Sequence, residues 1–215
     1  MKKILWLLAL MGLILAGCSD DGTLRIRNNS LEEIWYEVNN GSTEWLNSGE
    51  SDSYSWKLSS SIFGEEDKKV TVDYGGGYWF WYDYTLTKTV KPGKTVTVSI
   101  IGDAGEIEIW NNSSEFYIYY VWLCPSSDDD WGDDDLQGII GPGYSVVWKV
   151  TVGDWDILLE DDWGDQFDSY NNYIAPETRT TFEYTGFRRA SNPVGDKKSN
   201  AEKYTTRIED KCEKR

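Results

Sequence analysis

Two acidic stretches of this 215-residue chain have the residue types and spacing of a metal site. Residues 126–135 carry six carboxylates, and the pentapeptide Asp-Asp-Trp-Gly-Asp occurs at 129–133 and again at 161–165. Ca²⁺ takes roughly six to eight oxygen ligands, which clustered carboxylates and turn carbonyls supply without histidine. If both loops lie at one end of a domain, six carboxylates could converge on one Ca²⁺, namely those of Asp129, Asp130, Asp133, Asp161, Asp162 and Asp165.

The spacing of these loops differs from that of an EF-hand. Counted from Asp128, Gly132 takes the fifth position and Ile139 occupies the place of the bidentate glutamate. The alternative interpretation is a solvated acidic loop that keeps a surface protein soluble, because runs of like charge are usually exposed to water. The recurrence of the pentapeptide adds some support to the cation, and both interpretations stay open.

A second candidate site is the aromatic run Tyr-Trp-Phe-Trp-Tyr-Asp-Tyr at 78–84. Alternation predicts a strand over 78–85 with aromatic rings on both faces. One face must fill the core. The other face either packs under a loop or the neighbouring repeat, or forms an exposed platform on which a sugar stacks. Packing is favoured, because aromatic side chains bury large areas and a small sandwich needs them. In the second interpretation Trp79 and Trp81 bind a glycan.

The composition excludes several function classes. The chain contains no histidine, which excludes Ser-His-Asp and Cys-His nucleophiles, imidazole zinc sites and a histidine general base. Its net charge of −16 repels phosphate backbones and disfavours nucleic-acid binding. We therefore expect a non-catalytic binding protein for a divalent cation, a glycan or a protein ligand. A structural or adhesive envelope protein is the first alternative, and a carboxylate-dependent glycoside hydrolase is a distant one.

The elements that must position these residues form a tandem duplication. Residues 24–30, Leu-Arg-Ile-Arg-Asn-Asn-Ser, return at 107–113 as Ile-Glu-Ile-Trp-Asn-Asn-Ser. Apolar residues alternate with polar ones in both copies, and Asn-Gly, Ser-Gly and Lys-Pro-Gly turn signals separate the predicted strands. We expect an all-β protein made of two small antiparallel β-sandwiches, repeat 1 over 23–103 and an acidic repeat 2 over 104–185.

The first residues have the pattern of an export signal, with a positive start and an apolar run over 4–15. The run ends Leu-Ala-Gly-Cys at 15–18, which resembles the lipobox of bacterial lipoproteins. The resemblance implies removal of residues 1–17, a diacylglycerol on the Cys18 sulfur and acylation of the new amino terminus. It implies a protein of the bacterial cell envelope, at the outer membrane or cell surface, anchored to the membrane by lipid through a short tether at 18–22.

The second repeat resembles a β-rich module that recurs in uncharacterised secreted bacterial proteins. The resemblance rests on Trp-Leu-Cys-Pro-Ser-Ser at 122–127, Trp-Gly-Asp-Asp-Asp-Leu at 131–136 and Gly-Asp-Trp-Asp-Ile at 153–157. It implies the β fold and no activity.

A basic tail at 186–215 closes the chain, with a helix expected over 199–213. Ser199 to Glu202 fits a capping box, and Tyr204, Ile208 and Cys212 fall four residues apart along one apolar stripe. The alternative is a frayed tail. Once Cys18 carries lipid, Cys124 and Cys212 remain in an oxidising compartment, where such a pair usually forms a disulfide.

Overall fold

The computed structural model describes residues 18–61 and 64–186, and these residues form strands and turns without a helix. The all-β prediction is confirmed. The strands are β1 (Cys18–Asn28), β2 (Ile34–Val38), β3 (Glu44–Leu46), β4 (Ser51–Ser61), β5 (Gly64–Glu65), β6 (Lys68–Gly76), β7 (Tyr84–Val90), β8 (Thr95–Ile100), β9 (Ala104–Asn111), β10 (Ile118–Pro125), β11 (Ser145–Thr151), β12 (Gly153–Asp161), β13 (Gln166–Ile174) and β14 (Arg179–Tyr184).

The chain divides into two compact units, Met1–Gly102 and Asp103–Arg215. In unit 1 one sheet has the order β5-β4-β1-β8 and the other the order β3-β2-β6-β7. In unit 2 the orders are β11-β9-β14 and β10-β12-β13. Apart from the short β3 and β5, the two units correspond strand by strand. The sequence duplication is therefore also a duplication of topology.

Pairing is mostly antiparallel, as expected, with one parallel pair in each unit. β8 runs parallel to β1, with Thr95 opposite Thr23, and β14 runs parallel to β9, with Arg179 opposite Glu106. The last strand of each unit thus returns beside the first strand after the chain has passed through the other sheet.

Alternation along the strands decides which side chains fill the cores. In unit 1 the fully buried side chains include Leu24 and Ile26 of β1 and Val70 and Val72 of β6. The equivalent positions in unit 2 are also apolar and buried, and they include Ile107, Ile109, Ile157 and Leu159. The polar residues between these positions point away from the cores.

The repeated Asn-Asn-Ser motif forms a buried set of hydrogen bonds at the end of the first strand of each unit. The Asn28 amide donates to the carbonyls of Glu32 and Leu46 at 2.8 and 2.9 Å, and its Oδ1 accepts from the Ser30 N–H. In unit 2, Asn111 makes the equivalent bonds with Phe116, Ile140 and Ser113. Because buried polar groups need partners, this motif repeats for a structural reason.

Residues 18–22, expected to be a tether, belong to β1. They pair with β4, from Cys18 opposite Ser60 to Gly22 opposite Trp56. A Cβ at Gly22 would lie 2.6 Å from Leu58 and 2.8 Å from the Lys91 carbonyl, so only glycine permits this close approach. The tether prediction is wrong because the strand continues to Cys18.

The strand expected over 78–85 begins only at Tyr84. Residues 77–83 form a turn because the Glu32 carboxylate accepts the N–H groups of Tyr78 and Trp79 at 2.8 and 2.7 Å. Those N–H groups are therefore unavailable to a sheet. This seven-residue segment is called the aromatic loop below.

The predicted signal peptide at 1–17, most of the basic tail and the helix over 199–213 lie outside the described residues. Within 18–61 and 64–186, no helix is long and apolar enough to cross a membrane.

Candidate functional site

The outer face of the β3-β2-β6-β7 sheet carries an aromatic pair, of which Trp35 is half-buried and Trp45 is exposed. Trp35 and Trp45 lie opposite each other in the β2–β3 register, whereas their neighbours Ile34 and Leu46 are buried in the core. Opposed side chains of an antiparallel pair have Cβ atoms about 5 Å apart, so the two indoles are neighbours. Trp45 is 58% exposed. Large rings therefore cover this face on the side away from the core.

A glycine shapes the surface beside this pair. Gly75 of β6 lies opposite Trp35, and a Cβ there would come within 2.8 Å of the Trp35 Nε1. The Asp83 carboxylate lies over the same backbone position. The bare Gly75 backbone thus leaves room for an indole and a carboxylate side by side. We call Trp35, Trp45, Gly75 and Asp83 the tryptophan face.

Two further carboxylates lie on the same face. Glu37 of β2 is opposite Asp73 of β6, in the register that continues from Trp35 and Gly75. Glu37 accepts a hydrogen bond from the Thr43 hydroxyl, and Asp73 accepts one from the Thr85 hydroxyl. These bonds orient the carboxylates, which have acceptor capacity for further donors. The face therefore combines apolar rings with hydrogen-bond acceptors.

The two tryptophans predicted to bind a ligand lie in the aromatic loop. Trp79 is partly buried against the core of unit 1, and the Tyr78 ring meets it edge-on at 5.0 Å. Trp81 is 45% exposed, two residues before the Asp83 that reaches Gly75. The packing alternative therefore holds for Trp79, whereas Trp81 lies in the segment that delivers Asp83 to the tryptophan face.

In unit 2 part of the corresponding sheet face is covered. Cys124, Trp131 and Leu158 form a small buried cluster, with Trp122 and Tyr170 packed against it. It lies on the opposite side of the β10-β12-β13 sheet from the main core, which contains Val121, Leu123, Ile157 and Leu159. Trp131 comes from the acidic loop and is 4% exposed. The inserted loop thus turns an outer face into a second core.

The acidic loop also covers the free edge of β10. The Asp134 carboxylate accepts the Val121 N–H at 2.9 Å, and the Asp135 carboxylate accepts the Leu123 N–H at 2.8 Å. Further on, Ile140 pairs with Ile118. An exposed sheet edge is otherwise a template for unwanted pairing. We call residues 126–140 the strap.

The two loops that carry the six aspartates proposed as calcium ligands begin at opposite ends of β12. The first pentapeptide follows Pro125, which is opposite Trp155, whereas the second begins at Asp161, which is opposite Ile118. After the first pentapeptide the chain turns back along β10, where the Asp134 carboxylate accepts the Val121 N–H. The expectation that the loops share one end is wrong, because the strap begins where β10 ends and the other loop begins beside the start of β10.

Two of the six aspartates accept hydrogen bonds from the backbone of their own loop. Asp161 is buried, and its Oδ1 accepts the N–H groups of Trp163 and Asp165. Its Oδ2 accepts the Tyr184 hydroxyl at 2.8 Å. Asp130 accepts the Gly132 N–H at 3.0 Å. In 18–61 and 64–186, no three acidic or cysteine side chains are grouped so as to hold a metal ion. Asp129, Asp133 and Asp162 are exposed.

Each unit contains a buried tyrosine whose hydroxyl donates to an aspartate, although the two tyrosines lie on strands that do not correspond. Burial, followed by hydrogen bonding to Asp52, raises the pKa of Tyr36 far above its usual range. Burial and the hydrogen bond to Asp161 likewise raise the pKa of Tyr184. Both hydroxyls therefore stay protonated and donate to a carboxylate, which is a structural role.

A shallow cleft of about 440 Å³ lies in unit 2 between the end of β10 and the β11–β12 turn, with Ser126, Trp155 and Asn171 in its walls. Asp154 is the single carboxylate among the described residues that line it. Hydrolysis of a glycoside needs two carboxyl groups facing each other. This cleft does not present that pair.

Cys124 is buried in the cluster beneath the strap, and Cys212 lies outside the described residues. The Cys124–Cys212 disulfide stays a prediction.

Sequence reasoning missed Trp35 and Trp45. A signal was present, because Ile34-Trp-Tyr-Glu-Val38 alternates and Trp35 must oppose whichever face holds Ile34 and Tyr36. The position of Trp45 could not be predicted, because β3 is only three residues long and so shows no alternating pattern.

No protein-family model and no curated protein matches the chain. Among solved structures it is similar to a candidate adhesin from Bacteroides ovatus, with 10% identity and a TM-score of 0.38 over 79% of this chain and 89% of that one. It is also similar to the Bacillus anthracis TIE protein, with 11% identity and a TM-score of 0.31 over 76% of this chain. This chain spans 34% of that protein. A third is a protein from Eubacterium rectale, with 15% identity and a TM-score of 0.29 over 39% of this chain and 81% of that one. Function must therefore be derived from the surface itself.

Proposed function

We propose that this protein is a lipid-anchored protein of the bacterial cell envelope that binds a neutral glycan on the tryptophan face of unit 1. The observation that carries the proposal is the Trp35–Trp45 pair, a half-buried and an exposed indole on one sheet face beside the Asp83 carboxylate. The anchor is supported by the lipobox at 15–18, which ends in Cys18.

The chemistry of the face suits a sugar. The C–H groups on one side of a pyranose ring pack on an indole, and the hydroxyl groups around its edge donate to carboxylates. Glu37, Asp73 and Asp83 supply such acceptors on this face. A carboxylate-bearing sugar would meet like charges, which favours neutral glycans over acidic ones. Exposed aromatic rings collected on one face of a monomer commonly mark an interaction site.

Unit 2 supports a different role within the same protein. In its equivalent sheet, the outer face around Cys124 and Leu158 is covered by Trp131 of the strap. The alternative function, a structural or adhesive role in the envelope, fits unit 2 best. A binding role for unit 1 and a structural role for unit 2 agree with the presence of the Trp-Gly-Asp loop in unit 2 alone.

A glycan array probed with the mature full-length chain tests the binding proposal. We expect neutral glycans to bind, and we expect Trp45→Ala to weaken the best of them by roughly tenfold or more, which corresponds to about 1.4 kcal/mol. The matched control is Trp163→Ala, because Trp163 is 73% exposed but lies in unit 2. An empty array, or equal affinities for wild type and Trp45→Ala, would refute the tryptophan face as a glycan site and leave the structural or adhesive role.

Mass spectrometry of the amino-terminal peptide tests the anchor. We expect a peptide that begins at Cys18 and carries the mass of a diacylglycerol and an acyl chain. An unmodified peptide that still contains the signal would overturn the anchor.

A further inference from the structure

We propose that the ligand of the tryptophan face is an extended chain of β-1,4-linked neutral sugars that lies across the strands of the sheet, from Trp45 to Asp83. The inference rests on the proposed glycan site and adds to it the linkage of the sugar chain, its direction on the sheet and its length. Three observations carry it: the lean of one indole, the alignment of the tryptophan face across the strands, and a second row of hydrogen-bond acceptors beside it.

The indole of Trp35 leans over the neighbouring strand. Its Nε1 and Cε2 atoms lie 2.8 and 2.9 Å from the point where a Cβ of Gly75 would stand, although Trp35 belongs to β2 and Gly75 to β6. An indole that stood upright on β2 would not reach the backbone of the next strand. The half-buried ring therefore covers the buried Gly75 and fills the space between Trp45 and Asp83.

The four residues of the tryptophan face lie on one line that crosses the strands. Trp45 is opposite Trp35, Trp35 is opposite Gly75, and the Asp83 carboxylate, from the residue before β7, lies against the same glycine. Neighbouring strands are about 4.8 Å apart, so this line is roughly 14 Å long. Each sugar of an extended β-1,4-linked chain is joined through opposite ends of its ring and occupies a length close to one strand spacing. The line therefore has room for about three sugars.

A second row of polar groups runs beside this line. Glu37 is opposite Asp73, and Asp73 is opposite Thr85. We call these three residues the polar row; it lies two residues along the strands from the tryptophan face, or roughly 7 Å at about 3.3 Å per residue. The hydroxyls of Thr43 and Thr85 donate to Glu37 and Asp73, and both carboxylates have acceptor capacity for further donors. Hydroxyl groups on the edge of a sugar stacked on the indoles point toward these acceptors.

A straight line of contacts favours one kind of linkage. In a β-1,4-linked chain the rings follow one another in a flat ribbon, with C–H groups on its faces and hydroxyl groups at its edges, whereas an α-1,4-linked chain curves. The ribbon keeps its rings over Trp45 and Trp35 while its edge stays beside the polar row, and a curved chain leaves the line after a short contact. The carboxylates of Glu37, Asp73 and Asp83 repel uronic acids, which limits the class to neutral chains.

Two hexasaccharides of glucose test the linkage. Cellohexaose is β-1,4-linked and maltohexaose is α-1,4-linked, and the binding of each to the mature full-length chain is measured by isothermal titration calorimetry. Mannohexaose and xylohexaose, both β-1,4-linked, are included because the line selects the shape of the chain and not one sugar. We expect at least one of the three β-1,4-linked chains to bind about tenfold more tightly than maltohexaose or better. Maltohexaose binding as tightly as all three, or no binding by any of the three, would overturn the proposal.

Chain length tests the extent of the contact. For the β-1,4-linked sugar that binds, affinity should rise from the disaccharide to the trisaccharide and then change by less than about threefold up to the hexasaccharide, because about three sugars fill the line. An equal gain in affinity at every added sugar would refute the line as the binding path.

Two alanine variants on the same side of the sheet test the direction of the chain. Asp83→Ala removes the end of the line, whereas Thr87→Ala removes an exposed side chain of the same face within β7, four residues later. We expect Asp83→Ala to weaken trisaccharide binding by about fivefold and Thr87→Ala to leave it unchanged, because Thr87 lies roughly 13 Å along the strand from the line. Equal losses, or a larger loss for Thr87→Ala, would refute a chain that crosses the strands. Melting curves report whether unit 1 is folded, and Asp83→Asn, which keeps the shape of the side chain, should give a smaller loss of the same kind.

The outcomes separate this inference from the glycan site itself. If no glycan binds, or if Trp45→Ala leaves binding unchanged, the glycan site and the chain across the strands are both refuted. If a neutral glycan binds in a manner that needs Trp45, but the β-1,4-linked hexasaccharides bind no better than maltohexaose, the tryptophan face stands as a glycan site and the β-1,4-linked chain is refuted.

Discussion

The outer sheet faces of the two units show how one topology can give two surfaces. In unit 1 the segment between β2 and β4 is short and includes β3, so Trp35 and Trp45 stay on the surface. In unit 2 the corresponding segment is longer, and it returns along β10 to place Trp131 on the sheet. A loop insertion therefore converted a potential binding face into a core without changing the order of the strands.

Both units also protect the edge of a strand, β2 in unit 1 and β10 in unit 2, but they do so in different ways. In unit 1, β3 pairs with β2 from Ile34 opposite Leu46 to Tyr36 opposite Glu44. In unit 2 the carboxylates of Asp134 and Asp135 accept the N–H groups that a strand would otherwise accept. The charge of the strap, which suggested a cation site, thus serves partly as edge protection.

The largest expected effect comes from removing the ring that closes unit 2. Trp131→Ala should lower the free energy of unfolding by about 3–5 kcal/mol, because it leaves a cavity above Cys124 and Leu158. Trp45→Ala on the open face should change it by less than about 0.5 kcal/mol. Urea unfolding of the full chain measures both. Equal losses would contradict the distinction between an open and a closed face.

A smaller effect is expected from detaching the strap from β10. Asp134→Ala leaves the N–H groups of Val121 and Leu136 without their acceptor, which should cost about 1–3 kcal/mol. Asp133→Ala, one position earlier and exposed, is the matched control and should be within about 0.5 kcal/mol of wild type. The same unfolding measurement applies. A stability loss at Asp133 as large as that at Asp134 would mean that general loop charge, and not the edge contact, sets the stability.

The smallest effect concerns pH. Partial burial, with the nearby carboxylates of Asp134 and Asp133, raises the pKa of Asp135, and the Leu123 N–H opposes the rise. The folded state therefore holds this proton to higher pH than the unfolded chain does. The resulting stability is complete below the ordinary aspartate pKa and is lost as pH rises through the raised value.

Asp135→Asn tests this directly because its amide oxygen still accepts the Leu123 N–H. The variant should match wild type at low pH and be slightly more stable at neutral pH, by less than the two effects above. Melting temperatures measured between pH 3 and 7 test this. The difference between variant and wild type should appear as the pH rises through the range in which Asp135 loses its proton. A variant that is less stable at neutral pH would show that the charge of Asp135 stabilises the strap.

Most strands could be predicted from the sequence, because side chains in a strand alternate between two faces and this alternation appears among neighbouring residues. The errors came from distant partners. Glu32 accepts the N–H groups of Tyr78 and Trp79 across 46 and 47 positions of sequence and so removes the aromatic loop from β7. No local pattern around 78–83 reports the presence of that carboxylate.

The sequence by itself determined the duplication, the strand periods and the acidic composition of the second unit, since each of these depends on residue order alone. Only the tertiary structure decided that the two Asp-Asp-Trp-Gly-Asp loops begin at opposite ends of β12 and that Trp131 is buried while Trp45 is exposed. The physical reason is that these outcomes depend on strand register and on the path of the strap. Both are set by contacts between residues far apart in the chain.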